Sequence, residues 1–208
     1  MQKIRTATFE DLDAIAAVEA ACFPAAEAAT KEEFAGRLTH YADHFWLLFE
    51  DEKLVSFVDG FVTDTPDLTD EMYADASLHD AHGAWQMIFG VNTLPEYRKQ
   101  GLAGQLLRRA IADAKAQGRR GLVLTCKDRL VHYYAGFGFV SEGVSGSTHG
   151  GVVWYQMRLT FRTSYNKPRP RPPEPPLSRG ALQLPGGHGL TGPTRTTRLL
   201  SLCGLGSR

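Results

Sequence analysis

The chain reads as an α/β (α+β) fold: one domain on a central mixed, mostly antiparallel sheet flanked by helices. Three observations predict it. Strand-like and helix-like segments interleave through the first 160 residues, and the end of that stretch is rich in strands. One segment, GLVLTC at 121–126, is apolar without alternation, the pattern of a strand covered on both faces.

The elements follow in order. KIRTAT alternates as a short strand, and Thr8 with Asp11 forms a capping-box pattern before a helix whose apolar stripe is Leu12, Ile15, Val18 and Cys22. Pro24 ends that region, and Thr30 with Glu33 repeats the capping signature before a second helix through about Leu38. HFWLLFE, DEK and LVSFVDGFV read as a hairpin. The polar stretch from Thr63 to His82 reads as a loop of a length that in compact domains accompanies function or mobility. AWQMIFGVNT is a single strong strand, followed by a helix from near Gly101 to about Gln117 with Gly118 at its C-cap. After GLVLTC, Asp128 is placed to cap RLVHYYAG, and GFGFVSEG and GGVVWYQMRLTF finish as strands.

Charge and composition divide the chain. The 23 basic and 23 acidic residues cancel overall, but seven of the former and only one of the latter follow Thr163, with eight of the eleven prolines. Residues 1–163, the folding part, therefore carry a net charge of about −6. Residues 164–208 show neither helical nor strand periodicity, and their prolines favour extended, unpaired backbone, so this tail is not expected to fold alone. No apolar run approaches the roughly 20 residues that span a bilayer, and the N-terminus lacks the apolar core of a secretory signal, so a cytoplasmic protein without membrane or nucleic-acid partners is expected. Cys22, Cys126 and Cys203 have no paired spacing, which argues against a disulfide framework and a metal site.

The stretch LPEYRKQGLAGQLL, 94–107, carries the chemistry. Leu102, Ala103, Leu106, Leu107, Ala110, Ile111 and Ala114 share a helical face, so the helix begins just after Gly101. Its first N–H groups lack intrahelical partners and sit at the positive end of the helix dipole. Gly101 and Ala103 keep that backbone approachable, while Arg98 and Lys99 add positive charge. The arrangement suits a pyrophosphate. Neither GxxxxGK[ST] nor GxGxxG is present.

RKQGLA, Arg98 to Ala103, matches the R/Q-x-x-G-x-G/A pattern of the GCN5-related N-acetyltransferase (GNAT) superfamily, and YAGFGF is similar to that family's Y-x-x-F-G-F signature through Tyr134, Phe137, Gly138 and Phe139. The order of elements agrees over residues 1 to about 160. Within the superfamily, CFPAAEAATKEEF and LTCKDRLVHYYAGFGF look most like the arylalkylamine (serotonin-like) N-acetyltransferase branch. The resemblance implies a GNAT-like domain that transfers an acetyl group from acetyl-CoA, without a metal, to a primary amine of a small molecule. It also implies that the backbone of Arg98, Lys99, Gln100, Gly101, Leu102, Ala103 and Gly104 holds the pyrophosphate. Val91 and Thr93 would pair with the pantetheine arm, and Tyr134 would be the general acid for the departing thiolate. A phenol suits that role, its ordinary pKa of about 10 being close to a thiol's.

One departure bears on mechanism. The branch carries two histidines on the strand before the loop, and Met87 and Phe89 stand at those positions. Glu27 is then a candidate to remove the amine's proton through water or to hold an ammonium, against the alternative of a solvated loop carboxylate, and His132 is a further candidate. Phe23, Pro24, Met87 and Phe89 are candidates for the acceptor pocket. An acyl-CoA-binding module without turnover and a protein or peptide acetyltransferase remain as other readings. The strand GGVVWYQMRL could pair across a homodimer.

Overall fold

The computed structural model describes residues 1–162; the expectation for the tail falls outside them. The chain runs β1 (Gln2–Thr6), α1 (Leu12–Cys22), α2 (Lys31–Tyr41), β2 (Phe45–Glu50), β3 (Lys53–Asp59), β4 (Val62–Thr63), α3 (Glu71–Ala74), β5 (Trp85–Ile88), β6 (Gly90–Thr93), α4 (Leu102–Ala116), β7 (Gly121–Cys126), α5 (Val131–Ala135), β8 (Val140–Val144) and β9 (Tyr155–Thr160).

The strands form an antiparallel group ordered β1-β2-β3-β6 and a second group ordered β4-β5-β7-β9-β8, in which only β5 and β7 run parallel. β2 is covered on both faces, and its side chains alternate between two cores. Phe45 and Leu47 join Ile15, Phe34 and Phe57 beneath α1 and α2, whereas Trp46 and Leu48 join Leu106, Leu107 and Tyr134 beneath α4 and α5. Leu106 and Leu107 are fully buried, each contributing about 1.5–3 kcal/mol, and the Trp46 indole donates to Asp113 at 2.8 Å. α4 is thereby fixed, and with it the position of its first turn.

The expected single strand AWQMIFGVNT is broken at Phe89 into β5 and β6. The N–H groups of Met87 and Phe89 donate to Phe61 and Asp59, on the β3–β4 side, and so does Leu94, to Val55. Odd-numbered residues therefore face β3 before the break and even-numbered ones after it, the signature of a bulge. Past the bulge β6 stays with β3 while β7 stays with β5, and the sheet splits into its two groups. Gly90 is required there, because a Cβ would lie 2.5 Å from Asp59 Oδ1 and 2.9 Å from Asn92 Nδ2.

Other expectations need correction. The stretch from Thr63 to His82 holds the short helix α3 and a 3₁₀ turn, and Asp70 within it accepts hydrogen bonds from Ser147 and Thr148. Asp128 caps no helix: it starts a 3₁₀ turn without a side-chain cap, and α5 begins only at Val131. α2 runs to Tyr41, past Leu38, because Leu38 and Tyr41 both reach the core. GGVVW precedes β9 without joining it. Among the described residues no helix is long and apolar enough to cross a membrane.

Candidate active site

A cleft of about 740 Å³ lies where the sheet splits, its walls including Val91, Thr93, Gly101, Leu102, Ala103 and Tyr134. Because even-numbered residues of β6 face β3, Val91 and Thr93 direct their backbone N–H and C=O groups into the opening. The Thr93 carbonyl is already taken, by the Cys22 thiol at 3.3 Å and Arg98 Nε at 3.1 Å. This ties the end of α1 and the basic loop to the strand.

The loop has the local geometry its sequence calls for. Gly101 sits at φ +80° immediately before α4, and Lys99 also takes a left-handed φ of +63°. Arg98, Lys99, Gly101, Leu102 and Ala103 all line the cleft, and the amides opening α4 have no helical acceptor. The Arg98 N–H donates to Pro95 at 3.3 Å, so that amide is engaged. Gln100 lies outside the cleft lining, its side chain reaching back to the Glu96 carbonyl, and Gly104 is buried against the Phe137 ring.

Tyr134 is 6 % exposed and comes from α5, whose aromatic residues pack edge to face: Tyr133 against Phe137, and Tyr134 against Phe139. Burial pushes its phenol well above the ordinary range, so it holds its proton at neutral pH. Phe23, Pro24 and Glu27 line the cleft as well. Glu27 accepts an ion pair from Lys127 at 2.8 Å, and Lys127 also lies 5.7 Å from the Trp154 ring.

A second, smaller cavity of about 90 Å³ adjoins the cleft, sharing Phe23, Glu27 and Trp154 with it. Glu19, Arg37, Asp59, Tyr73, Phe89 and Gly90 are among its walls. Arg37 donates to Asp59 at 2.9 Å and to the Tyr73 carbonyl at 3.1 Å, and its guanidinium lies 5.2 Å from the Phe89 ring. Tyr73, brought from the long connection, shares a 3.1 Å hydrogen bond with Thr125 on β7, and burial pushes its phenol up to about 12. Phe89 thus reaches a cavity, but Met87 does not: it is fully buried in the core beneath α1 and α2, because side chains alternate along β5 and its turn falls inward. His132 is exposed on α5 and lines neither space.

A model of the acetyltransferase (GNAT) family matches residues 12–139, from the start of α1 to the residue before β8. The chain belongs to that family. Serotonin N-acetyltransferase of Mesocricetus auratus is 30% identical over 115 residues, 55% of this chain and 54% of that protein, so the match spans about half the length of this curated relative. Among solved structures, the loading GNATL domain of CurA from Lyngbya majuscula has a TM-score of 0.67 at 18% identity, covering 77% of this chain and 98% of that one. The GphF GNAT-like decarboxylase, solved with isobutyryl-CoA, reaches 0.67 at 23% identity over 77% and 100%. Both structures speak for the fold.

Reading the sequence missed Lys127 and Arg129, which bring positive charge to the cleft, and Trp154. The signal for the first two was available, since ligand-facing residues collect just past the C-terminal ends of parallel strands and KDR follows β7 directly. Glu19 was missed too, although its place beside Ile15, Val18 and Cys22 on one helical face is visible in the spacing.

Proposed function

We propose that the domain is an N-acetyltransferase that moves the acetyl group of acetyl-CoA to a primary amine of a small molecule by direct attack in a ternary complex. The observation that carries this reading is Tyr134, an acid held protonated in the same cleft as the opening turn of α4 and the exposed edge of β6. The α4 amides, helix dipole and Arg98–Lys99 would hold the pyrophosphate, and Val91 and Thr93 the pantetheine, with Thr93 offering its N–H because its carbonyl is engaged. The Tyr134 phenol would protonate the thiolate as it leaves. Phe23, Pro24 and Phe89 would shape the acceptor side. Glu27 lines both spaces and is paired with Lys127 at 2.8 Å, which suits the passage between them better than the role of base, since its carboxylate is already engaged.

The test supplies acetyl-CoA to the full chain with a panel of amines (tryptamine, phenylethylamine, polyamines) and follows thiol release. Release that depends on one amine class supports the reading. CoA binding by calorimetry without release above blank would favour a binding module, the reading that Met87 and Phe89 in place of the histidine pair keeps in play. Tyr134→Phe is expected to lower kcat by about 10²-fold or more with CoA affinity retained; unchanged turnover would remove the phenol from the mechanism.

A further inference from the structure

The small cavity beneath Gly90 contains an acid that the steps above leave unused. Ile15, Val18 and Glu19 are the buried residues of α1, so the helix that anchors the domain turns a carboxyl group inward among apolar neighbours. Glu19 is 6 % exposed and forms part of the cavity wall, facing the bulge at Phe89 and Gly90. Its Oε1 accepts the Ala29 N–H at 3.0 Å. The nearby cation is committed elsewhere: Arg37 gives Nη1 to Asp59 and Nη2 to the Tyr73 carbonyl. Asn92 stands at the same spot, fully buried, its amide an interaction partner of the Glu19 carboxyl and its Nδ2 2.9 Å from where a Cβ on Gly90 would sit. A buried carboxyl, without a cation of its own, in the wall of a cavity that joins the cleft is the making of a polar ligand site.

Resting on the transferase reading above, we propose that Glu19 takes the proton from the acceptor's ammonium group, which enters the small cavity from the cleft past Phe23 and Glu27. At about 90 Å³ this cavity is much smaller than the cleft it adjoins, and it has room for the ammonium end of an acceptor. An ammonium N–H bond breaks, its electron pair stays on nitrogen and the proton goes to Glu19. The nitrogen pair then forms the bond to the thioester carbonyl carbon. The C–S bond breaks with its pair on sulfur, and the thiolate takes the Tyr134 proton. The second amine proton, shed as the amide forms, restores Tyr134, and Glu19 releases the net proton to water.

The charges around Glu19 suit a base that works near neutrality. Burial, reinforced by the charge of Asp59 on β3, pushes its carboxyl up to about 7, against the opposing pull of the Ala29 N–H, of Arg37 on α2 and of the Asn92 amide on β6. Cys22, on α1 itself, lies on the same side and keeps its thiol protonated because burial raises it. Glu27, Glu33 and Tyr73 complete the titratable lining of the cavity.

The experiment is a pH–rate profile of the full chain against Glu19→Gln and Glu19→Asp, using the amine that gives the most thiol release. The wild type is expected to lose kcat/KM below a midpoint near 7. E19Q should lower kcat by about 10²-fold or more, keep the KM for acetyl-CoA and lose that acid limb. E19D should keep the limb and recover part of the rate. A kcat within threefold of wild type in E19Q, with the limb in place, would overturn the proposal. Should E19Q fail to bind CoA, Glu19→Ala carries the test, and a kcat within threefold of wild type there overturns it equally. Carboxyl ¹³C NMR, assigned by comparison with E19D, follows Glu19 without turnover, and a midpoint below about 5 overturns the proposal alone. Absence of thiol release with every amine, while Glu19 titrates near 7, would instead sink the transferase reading.

Discussion

At the loop end of the cleft, Arg98 to Ala103 act through backbone: a left-handed glycine, the unpaired amides of a helix start and a dipole, all set within a few residues of one another. At the far end, the small cavity is assembled from side chains of segments spread along the chain, from α1 and α2 through β3 and the long connection to β7. On the proposed reading the first end would hold the pyrophosphate that every acyl-CoA shares, through main chain aided by the charges of Arg98 and Lys99. The second would meet the variable partner, and there the structure accepts buried charge and a broken strand. Desolvation is thus concentrated where discrimination and proton transfer would occur, whereas the departures at the anchoring end are in the backbone, the left-handed angles of Lys99 and Gly101.

The largest effect that separates the two ends is expected from Arg37→Leu. Asp59 is completely buried, and removing its partner leaves a carboxylate with no cation in contact, so the variant should lose about 3–5 kcal/mol of stability by urea unfolding. Replacing both members, Arg37→Leu with Asp59→Leu, should recover much of the loss. If the single variant unfolds at the same urea concentration as wild type, the pair does not hold the acceptor end together.

Next in size is a stabilising change. Because folding raises the Glu19 carboxyl from 4.5 to about 7, the unfolded chain ionises it first, and stability falls as pH rises from about 4.5 to 7 and then levels off. Glu19→Gln removes that penalty while keeping an oxygen for the Ala29 N–H. At pH 8 it should therefore be more stable than wild type by about 1–3 kcal/mol, with the difference vanishing near pH 4. Equal stability at both pH values would show that the carboxylate is well solvated, and the contrast between the two ends would shrink.

The same contrast decides what could be read in advance. Elements fixed by neighbours in sequence were legible: the capping box of Thr30 and Glu33, the doubly covered β7, the helix start after Gly101 and its stop at Gly118. The break at Phe89 was not, because AWQMIFGVNT has the composition of an unbroken strand and the bulge depends on how Gly90 fits against Asp59 and Asn92. Met87 passed for a pocket residue because alternation gives two faces without saying which is outward. Glu19 went unread for the opposite reason: its spacing places it on the buried face, but a carboxylate among apolar positions is ordinarily taken as solvent-facing.

The smallest effect tests whether the loop end is as purely a matter of backbone as it looks. A Cβ on Gly101 would meet nothing within 4 Å, so Gly101→Ala introduces no clash, and its cost is that of holding an alanine at φ +80°. That is about 1–2 kcal/mol, appearing either as lost stability or, if the loop relaxes toward negative φ, as weaker CoA binding. The sum of the two, by unfolding and by calorimetry, should be conserved. Loss of affinity well beyond tenfold with stability unchanged would mean that the methyl group meets the ligand directly. Gly101 would then matter for the room it leaves as well as for its backbone angle.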